Sequence, residues 1–292
     1  MNFKKTLILF GPTSSGKSDI SLKISANTNS KIINADSMQV YKNLRVLTSR
    51  PSEEDEKKFD HKLYGIIDGD KSFSVASWLD LTKREIKSSW SQNKLPILVG
   101  GTGMYIKSLI DGISEIPSIP DSIKLETEEV LKKNGLKYMH DKLIKSNKNS
   151  KIYKNDSQRI IRAFNVLQFT GRSIEEWQKE NKKVLKDINF EIYIPHLERE
   201  ILYKNSDKRF DLMLKQGAID EVKTLLEQNI DPKYPIMKAI GVREIKQYLT
   251  NRLTLEECMN LSKKNTRNYI KRQLTWIRGN NISSNIDIKK YI

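Results

Sequence analysis

The residues best suited to chemistry in this 292-residue chain form one short run near its amino terminus. Residues 11–18 read GPTSSGKS and fit the pattern G-x-x-x-x-G-K-[ST]. Glycines let the N–H groups of such a loop converge on phosphate oxygens, and a helix that starts there favours negative charge. The lysine would face the terminal phosphates and the final serine would ligate Mg²⁺. We therefore expect a phosphate site made of Gly11, Pro12, Thr13, Ser14, Ser15, Gly16, Lys17 and Ser18.

Asp36 is the second residue of interest, because it follows an apolar run and would lie at the same sheet edge as the loop. It could act as a general base, ligate a metal, or cap a helix that starts at Ser37. Residues 99–103, VGGTG, form another glycine turn at that edge and would bring backbone close to a ligand. The strand before this turn ends in glycines rather than in an acid, which argues against an ordinary ATPase.

The elements that position these residues alternate between strand and helix. Apolar runs predict strands at 6–10, 31–35, 63–67, 96–99 and 190–195. Helical patterns follow at 17–26, 75–92 and 102–111. This alternation predicts an α/β fold with a parallel, P-loop NTPase-like sheet core.

The pattern changes after Gly112, where helical stretches such as 123–133 and 158–169 replace the alternation. A connection of that length is better explained by an inserted domain than by a loop. We expect the first part of the core at 1–114, a helical insertion at 115–188, and the second part of the core at 189–292.

Charge and composition set the context. The chain carries 52 Lys and Arg against 36 Asp and Glu, a formal charge of +16. Residues 251–292 hold nine basic and three acidic side chains, and residues 262–278 hold six cations and no acid. This last run has helical spacing, with Ile270, Leu274 and Ile277 as its apolar stripe and Lys264, Arg267, Lys271 and Arg278 along one flank. It is either a solvated helix packed on the core or a helix that binds phosphates.

Other features of the composition indicate the cellular compartment. A single cysteine, Cys258, excludes an internal disulfide and a multi-cysteine zinc site. The longest apolar run, residues 7–10, is far too short to span a membrane, and no signal-peptide cleavage site follows it. We expect a cytoplasmic monomer without membrane attachment.

Seven segments together resemble one family, the tRNA dimethylallyltransferases, in the order that the family has them over nearly the whole chain. They are GPTSSGKS at 11–18, DSMQVYKNL at 36–44, VGGTGMYIKSL at 99–109, SQRIIRAFNVLQFTG at 157–171, KRFDLMLKQGAIDEV at 208–222, KAIGVREI at 238–245 and TRNYIKRQLTWIR at 266–278.

The resemblance implies transfer of a dimethylallyl group from dimethylallyl diphosphate to N6 of adenosine 37 of tRNA. It implies that Thr13, Lys17 and Ser18 with Mg²⁺ stabilise the diphosphate, that Arg209 adds a second cation, and that Asp36 is the base. The phosphate loop, which in other proteins binds ATP, would here bind the isoprenoid diphosphate. The partners would be this donor and a tRNA anticodon stem-loop.

By the same resemblance, five segments contact tRNA, and Gln39 and Arg159 recognise or replace bases. The contacting residues would be Asp36, Ser37, Met38, Gln39, Thr102, Lys124, Ser157, Gln158, Arg159, Ile160, Ile161, Ala239, Ile240, Gly241, Val242, Arg243 and Glu244.

The chain departs from the family at residues 46–51, VLTSRP, where an I-G-T-[AS]-K-P stretch is typical, and at 241–244, where GVRE replaces G-Y-[KR]-E. It ends soon after the last motif, which suggests the bacterial type without a zinc-finger extension. Two alternatives stay open. One is a P-loop small-molecule kinase that uses ATP, and the other is an RNA-binding NTPase switch. Neither explains Arg209 or the 157–171 motif.

Overall fold

The computed structural model of the protein describes residues 4–185 and 188–292. The chain divides into two compact units. The larger, here called the core unit, combines Met1–Ile110 with Leu185–Ile292, and the smaller, the inserted unit, is Asp111–Val184.

The core unit is built on one sheet of five parallel strands in the order β3-β2-β4-β1-β5. With helices between the strands, this is the α/β fold that the sequence predicts. The strands are β1 (Lys4–Phe10), β2 (Ser30–Asn34), β3 (His61–Lys62), β4 (Leu95–Gly100) and β5 (Ile188–Tyr193).

Helices connect and flank these strands. In chain order they are α1 (Lys17–Asn27), α2 (Glu53–Lys58), α3 (Val75–Ser91), α4 (Gly103–Asp111), α5 (Asp121–Ser146), α6 (Ser157–Thr170), α7 (Ile174–Gln178), α8 (Arg199–Lys215), α9 (Ala218–Glu227), α10 (Val242–Leu249) and α11 (Leu255–Gly279). Two short 3₁₀ helices, Pro235–Lys238 and Ile288–Lys290, complete the set.

One predicted strand is wrong. Residues 63–67 are apolar enough for a strand, but Leu63 has φ 65° and Gly65 has φ 56°, which no extended strand allows. The strand at this edge is instead the two-residue β3, and Ile67 makes only an isolated parallel bridge to Tyr41.

The sheet brings the site segments to one edge. The last five residues of β1 and of β4 are buried, as expected for central strands of a parallel sheet. Ile24 of α1 packs with Leu7 and Ile97 against one face. Because parallel strands end at the same edge, the loops that follow β1, β2 and β4 lie side by side.

The inserted unit has a core of its own. Helices α5 and α6 pack through Met139, Leu143, Ile160 and Phe164, all of which are buried. Gly135, with φ 78°, interrupts α5 with a kink. Over residues 4–185 and 188–292, no helix combines the length and apolar character needed to cross a bilayer.

Candidate active site

The phosphate loop connects the end of β1 to the start of α1. Gly16 precedes the helix with φ 81°, in the left-handed region that favours glycine. Ser15 closes the loop by donating from Oγ to the Pro12 carbonyl at 2.8 Å. Since Gly16 has no side chain to cap α1, the first N–H groups of the helix stay available to phosphate oxygens.

Lys17 is the first residue of α1, and its side chain reaches back over the loop. Its Nζ donates to the Pro12 carbonyl at 2.6 Å and to Ser15 Oγ at 3.3 Å. Burial lowers the pKa of Lys17 from 10.5 to about 7, with Asp36 opposing this change and Arg209 adding to it. An anion in the loop would favour the charged ammonium, so the site is prepared for a phosphate ligand.

Arg209, on α8, reaches the loop from a distant segment. Its guanidinium donates a short hydrogen bond to Thr13 Oγ1. Burial lowers the pKa of this group, and the charge of Asp36 opposes the shift. The resemblance implies that Arg209 binds the diphosphate. In the structure its side chain contacts the phosphate loop through Thr13.

Asp36 follows β2 and is held as part of a turn. Its Oδ1 accepts the N–H of Met38 at 2.8 Å, and its own N–H donates to Asn34 Oδ1 at 2.8 Å. Asn34 is fixed in turn, since its carbonyl accepts from the Trp78 indole at 2.8 Å. No hydrogen bond within the described ranges reaches Asp36 Oδ2, which leaves that oxygen to a ligand.

The helix-cap interpretation of Asp36 is wrong. Residues 37–40 form bends and turns, and the next helix, α2, begins only at Glu53. The carboxylate therefore organises a turn through one oxygen, which is a common role for aspartate and leaves its other oxygen unused.

These groups face connected cavities of the core unit. The loop cavity has a volume of about 490 Å³, and an adjoining cavity of about 280 Å³ is more apolar. Thr13, Asp36, Thr48 and Arg209 line both. The loop cavity is otherwise lined mainly by loop residues Ser14, Ser15, Gly16, Lys17 and Ser18 with Asp19, Gln39, Gly100, Gly101, Asn205, Lys208, Leu212 and Gln273. The adjoining cavity adds Ser37, Met38, Leu47, Ser206, Phe210, Met213, Lys238, Ala239, Ile240, Thr266, Tyr269 and Arg272.

The glycine turn after β4 is packed against the protein itself. A Cβ on Gly100 would lie 2.1 Å from the Ala35 carbonyl oxygen, and one on Gly103 would lie 2.4 Å from the Trp276 ring. These contacts explain the glycines without a ligand. Gly100 and Gly101 also line the loop cavity, and the expectation that the turn brings backbone close to a ligand stays a prediction.

Helix α11 contributes residues that the sequence did not single out. Gln273 is 7% exposed and contacts the phosphate loop, and Arg272 lines the adjoining cavity. Arg272 is one of the two cations of residues 262–278 that lie outside the basic flank. A glutamine between the apolar positions Ile270 and Leu274 was the only signal for Gln273.

Two cations of α11, Arg267 of the basic flank and Lys263 outside it, form ion pairs within the fold. Arg267 pairs with Asp207 of α8 at 2.6 Å, although it was placed on the free flank. Lys263 pairs with Asp211 of the same helix at 2.6 Å. Lys264, Lys271 and Arg278 are exposed and make no ion pair within residues 4–185 and 188–292.

The predicted tRNA contacts near β2 line the cavities. Thr102 accepts the N–H of Ser37 at 2.9 Å and so holds the turn after Asp36. Met38 lines the adjoining cavity. Gln39 donates from Nε2 to the carbonyls of Thr48 and Ser49 at 2.9 and 2.8 Å, so its amide nitrogen is occupied within the fold.

The segment 239–244 is mostly buried. Val242 is 1% exposed and Glu244 is 6% exposed. Glu244 accepts from the N–H of Gly241 at 2.8 Å and from Asn265 at 2.6 Å, which satisfies both carboxylate oxygens. Ala239 is buried and Ile240 half-buried at the adjoining cavity, and Arg243 projects from α10 and is exposed.

The remaining predicted contacts lie in the inserted unit. Ser157, Gln158 and Arg159 are exposed at the first turn of α6, where Asp156 caps the helix and pairs with Arg159 at 3.3 Å. Ile160 is buried in the core of this unit and Ile161 is half-buried, so both serve packing. Lys124 is exposed and pairs with Asp121 at 2.7 Å.

The donor set at the loop cavity suits Mg²⁺. In the described part of the chain, no three His, Cys, Asp or Glu side chains gather as a metal site. Mg²⁺ is usually bound by one or two protein oxygens together with substrate phosphates and water. The exposed Ser18 hydroxyl and the carboxylates of Asp19 and Asp36 line the loop cavity, and they fit an ion of that kind.

Comparison with known proteins shows the family of this chain. The family model described as IPP transferase matches residues 39–280. A tRNA dimethylallyltransferase of Ehrlichia ruminantium (strain Welgevonden) is 42% identical over 273 residues, covering 93% of this chain and 91% of the relative. A tRNA dimethylallyltransferase of Pelagibacter ubique is 41% identical over 276 residues, covering 94% and 88%.

Solved structures agree as well. The full-length tRNA isopentenylpyrophosphate transferase of Bacillus halodurans matches with a TM-score of 0.67 and 32% identity, over 98% of this chain and 92% of that one. A eukaryotic dimethylallyltransferase acting on tRNA matches with a TM-score of 0.79 and 27% identity, over 94% and 70%. The resemblance seen in the sequence is thus confirmed, and this chain belongs to the IPP transferase family.

Proposed function

We propose that this protein transfers the dimethylallyl group of dimethylallyl diphosphate to N6 of adenosine 37 in tRNA, next to the anticodon, and releases diphosphate. The observation that carries the proposal is the cavity in which the phosphate loop, Arg209 and Asp36 meet. It provides a site for a diphosphate and a proton acceptor side by side. The names of the relatives at about 40% identity support the same reaction.

The reaction exchanges one bond for another. The C1–O bond of the donor breaks, and its electron pair leaves with the diphosphate. The lone pair of N6 forms the new bond to C1, and N6 then loses a proton. The exocyclic amine is a poor nucleophile, so the protein must stabilise the leaving group and accept that proton.

Leaving-group stabilisation is assigned to Lys17, Thr13, Arg209 and the N–H groups at the start of α1. Lys17 and Arg209 are half-buried cations, and burial lowers the pKa of each. Negative charge that grows on the departing diphosphate would favour their charged forms. Groups already held in place stabilise such charge without reorganisation at the moment of reaction.

Proton acceptance is assigned to Asp36. The Met38 N–H fixes one carboxylate oxygen, so the direction of the other oxygen is set by the turn. That second oxygen is the one we propose to take the proton from N6. The carboxylate also lines the adjoining cavity, whose side chains include Met38, Leu47 and Phe210, and this apolar wall suits a five-carbon chain.

Adenosine 37 would have to leave the anticodon-loop stack to reach this cavity, as in base flipping. The exposed candidates for tRNA contact are Arg243 on α10 and, in the inserted unit, Lys124 with Ser157, Gln158 and Arg159. The free cations of α11, Lys264, Lys271 and Arg278, would bind backbone phosphates. We further propose that the protein acts as a monomer, and in the cytoplasm because its substrate is tRNA.

Mg²⁺ would be held by Ser18 together with diphosphate oxygens and water, and when bound it neutralises charge on the leaving group. Lys17, Thr13 and Arg209 would orient the diphosphate.

The alternative, a small-molecule kinase that uses ATP, is not favoured. Strand β4, next to β1, ends at Gly100 instead of at an acid, and the relatives are named as transferases of another kind. The assignment of the target base is tested with two anticodon stem-loops that differ only at position 37. Transfer to the adenosine form and none to the guanosine form is expected, and equal labelling of both would rule out adenosine 37 as the acceptor.

A further inference from the structure

Gln273 joins two loops of the active site from a helix that is remote in sequence. Its Oε1 accepts the N–H of Thr13 at 2.9 Å, and its Nε2 donates to the Gly101 carbonyl at 2.9 Å. The side chain is buried, and so is its bond to Gly101, while its bond to Thr13 is partly buried. Buried amides of this kind specify geometry closely, because either partner left alone would be unsatisfied.

The surrounding residues are adapted to this contact. A Cβ on Gly101 would lie 2.4 Å from Gln273 Nε2, so the position accepts only glycine while the glutamine is there. One turn further along α11, Trp276 covers Gly103 and packs edge-on to Phe10 at 5.9 Å between ring centroids. The glycine turn after β4 is therefore shaped to receive α11.

Thr13 is held from two directions. Gln273 fixes its backbone N–H, and Arg209 fixes its hydroxyl. The helices that carry these two residues, α11 and α8, are joined by the ion pairs of Arg267 with Asp207 and Lys263 with Asp211. The position of Thr13 in the phosphate loop thus depends on α11 as much as on the loop sequence.

We infer that Gln273 is a positioning residue for the diphosphate site, which sets the geometry of Thr13 and thereby the affinity for the diphosphate group. This rests on the proposed function in that the ligand is a diphosphate. It assigns Gln273 a role inside the site, distinct from the tRNA contacts proposed for the exposed cations of α11.

The test compares Gln273→Met with the unmodified chain. Methionine keeps the length and volume of the side chain and removes both hydrogen bonds. Binding of inorganic diphosphate with Mg²⁺ is measured by calorimetry, and tRNA binding separately by filter retention. Gln273→Met is expected to weaken diphosphate binding about tenfold, which corresponds to about 1.4 kcal/mol, and to leave tRNA affinity unchanged. With dimethylallyl diphosphate, KM should rise more than kcat falls.

Cys258→Ala is the matched control, because Cys258 is buried in α11 but lies 15 residues, or about 22 Å, from Gln273 along the helix. It loosens the packing of α11 without touching the loop and should leave diphosphate affinity unchanged. If Gln273→Met does not fold, Gln273→Glu retains the acceptor for Thr13, but its carboxylate faces the Gly101 carbonyl and adds negative charge. It should also weaken diphosphate binding.

Unchanged diphosphate affinity in the folded Gln273 variants would overturn the inference, as would an equal loss in Cys258→Ala. These outcomes do not depend on whether the proposed reaction takes place. If diphosphate affinity depends on Gln273 but the protein transfers no prenyl group, the inference stands and the proposed reaction is wrong.

Discussion

Arg209 donates a hydrogen bond to Thr13 Oγ1 across 196 residues of sequence. The contact places a half-buried cation from α8 directly at the phosphate loop. Asp36 lines the same cavity, so the cations proposed to stabilise the diphosphate and the proposed proton acceptor face one space. The predictions below test these assignments separately.

Asp36→Asn should lower the transfer rate about 10²–10⁴-fold, which is far more than it should lower tRNA affinity. The asparagine Oδ1 can still accept the Met38 N–H, so the turn should persist while the proton acceptor is lost. Single-turnover rates with prebound tRNA measure the first effect and filter binding the second. A variant that turns over normally but binds tRNA poorly would show that Asp36 is a contact residue and not the base.

Arg209→Ala should lower kcat/KM for dimethylallyl diphosphate about 10²–10³-fold at saturating tRNA, because a preorganised donor to the leaving group is removed. Arg209→Lys should recover part of the loss, since a point charge replaces the planar fork. Arg252→Ala is the control, as Arg252 is exposed on the connection before α11. Donor kinetics equal to those of this control would exclude Arg209 from the diphosphate site.

Removing the free cations of α11 should weaken tRNA binding and flatten its salt dependence. Each of Lys264→Ala, Lys271→Ala and Arg278→Ala should reduce the slope of log K against log salt by about 0.7–0.9 if it removes one phosphate contact. Lys263→Ala, whose ammonium pairs with Asp211, should instead change stability and leave the slope as it was. If all four variants keep the slope of the unmodified chain, α11 is a solvated helix that packs on the core.

We expect Glu191 to make a pH-dependent contribution to the free energy of unfolding. Burial alone would raise the pKa of this carboxyl, but hydrogen bonds from Tyr291 and Lys290 outweigh burial and lower the pKa below its ordinary 4.5. A carboxyl with a lowered folded-state pKa stabilises the fold above its unfolded pKa and loses this contribution as pH falls through the folded value.

Glu191→Gln should therefore be less stable than the unmodified chain by about 1.5–3 kcal/mol at pH 7, with a difference that shrinks below about pH 4.5. Urea unfolding at pH 7 and at acid pH measures it. A difference that stays constant across this range would mean that the ion pair with Lys290 at 2.9 Å contributes nothing through charge.

The sequence predicted the parts of the site that are local. The phosphate loop depends on glycines and a lysine at fixed spacing, and Asp36 reaches the same edge because parallel strands end together. Residues 63–67 failed as a strand because apolar composition does not reveal a left-handed backbone at Leu63.

Contacts that arise from tertiary packing could not be predicted in this way. The burial of Gln273 depends on how α11 packs against a loop 260 residues away. The ion pair of Arg267 depends on Asp207, which lies on α8. Glu244 lies in a segment that resembles a tRNA-contacting motif, yet both oxygens of its carboxylate accept hydrogen bonds inside the fold. A motif match alone does not tell a residue that contacts tRNA from one that stabilises the fold.

The most direct test of the central claim is transfer itself. The protein is incubated with labelled dimethylallyl diphosphate, Mg²⁺ and unmodified tRNAs that carry adenosine at positions 36 and 37, and the tRNA is digested to nucleosides. Isopentenyladenosine that depends on the donor is the predicted product, with no ATP required. Hydrolysis of ATP with no isopentenyladenosine from any tRNA would contradict the account and favour the kinase alternative.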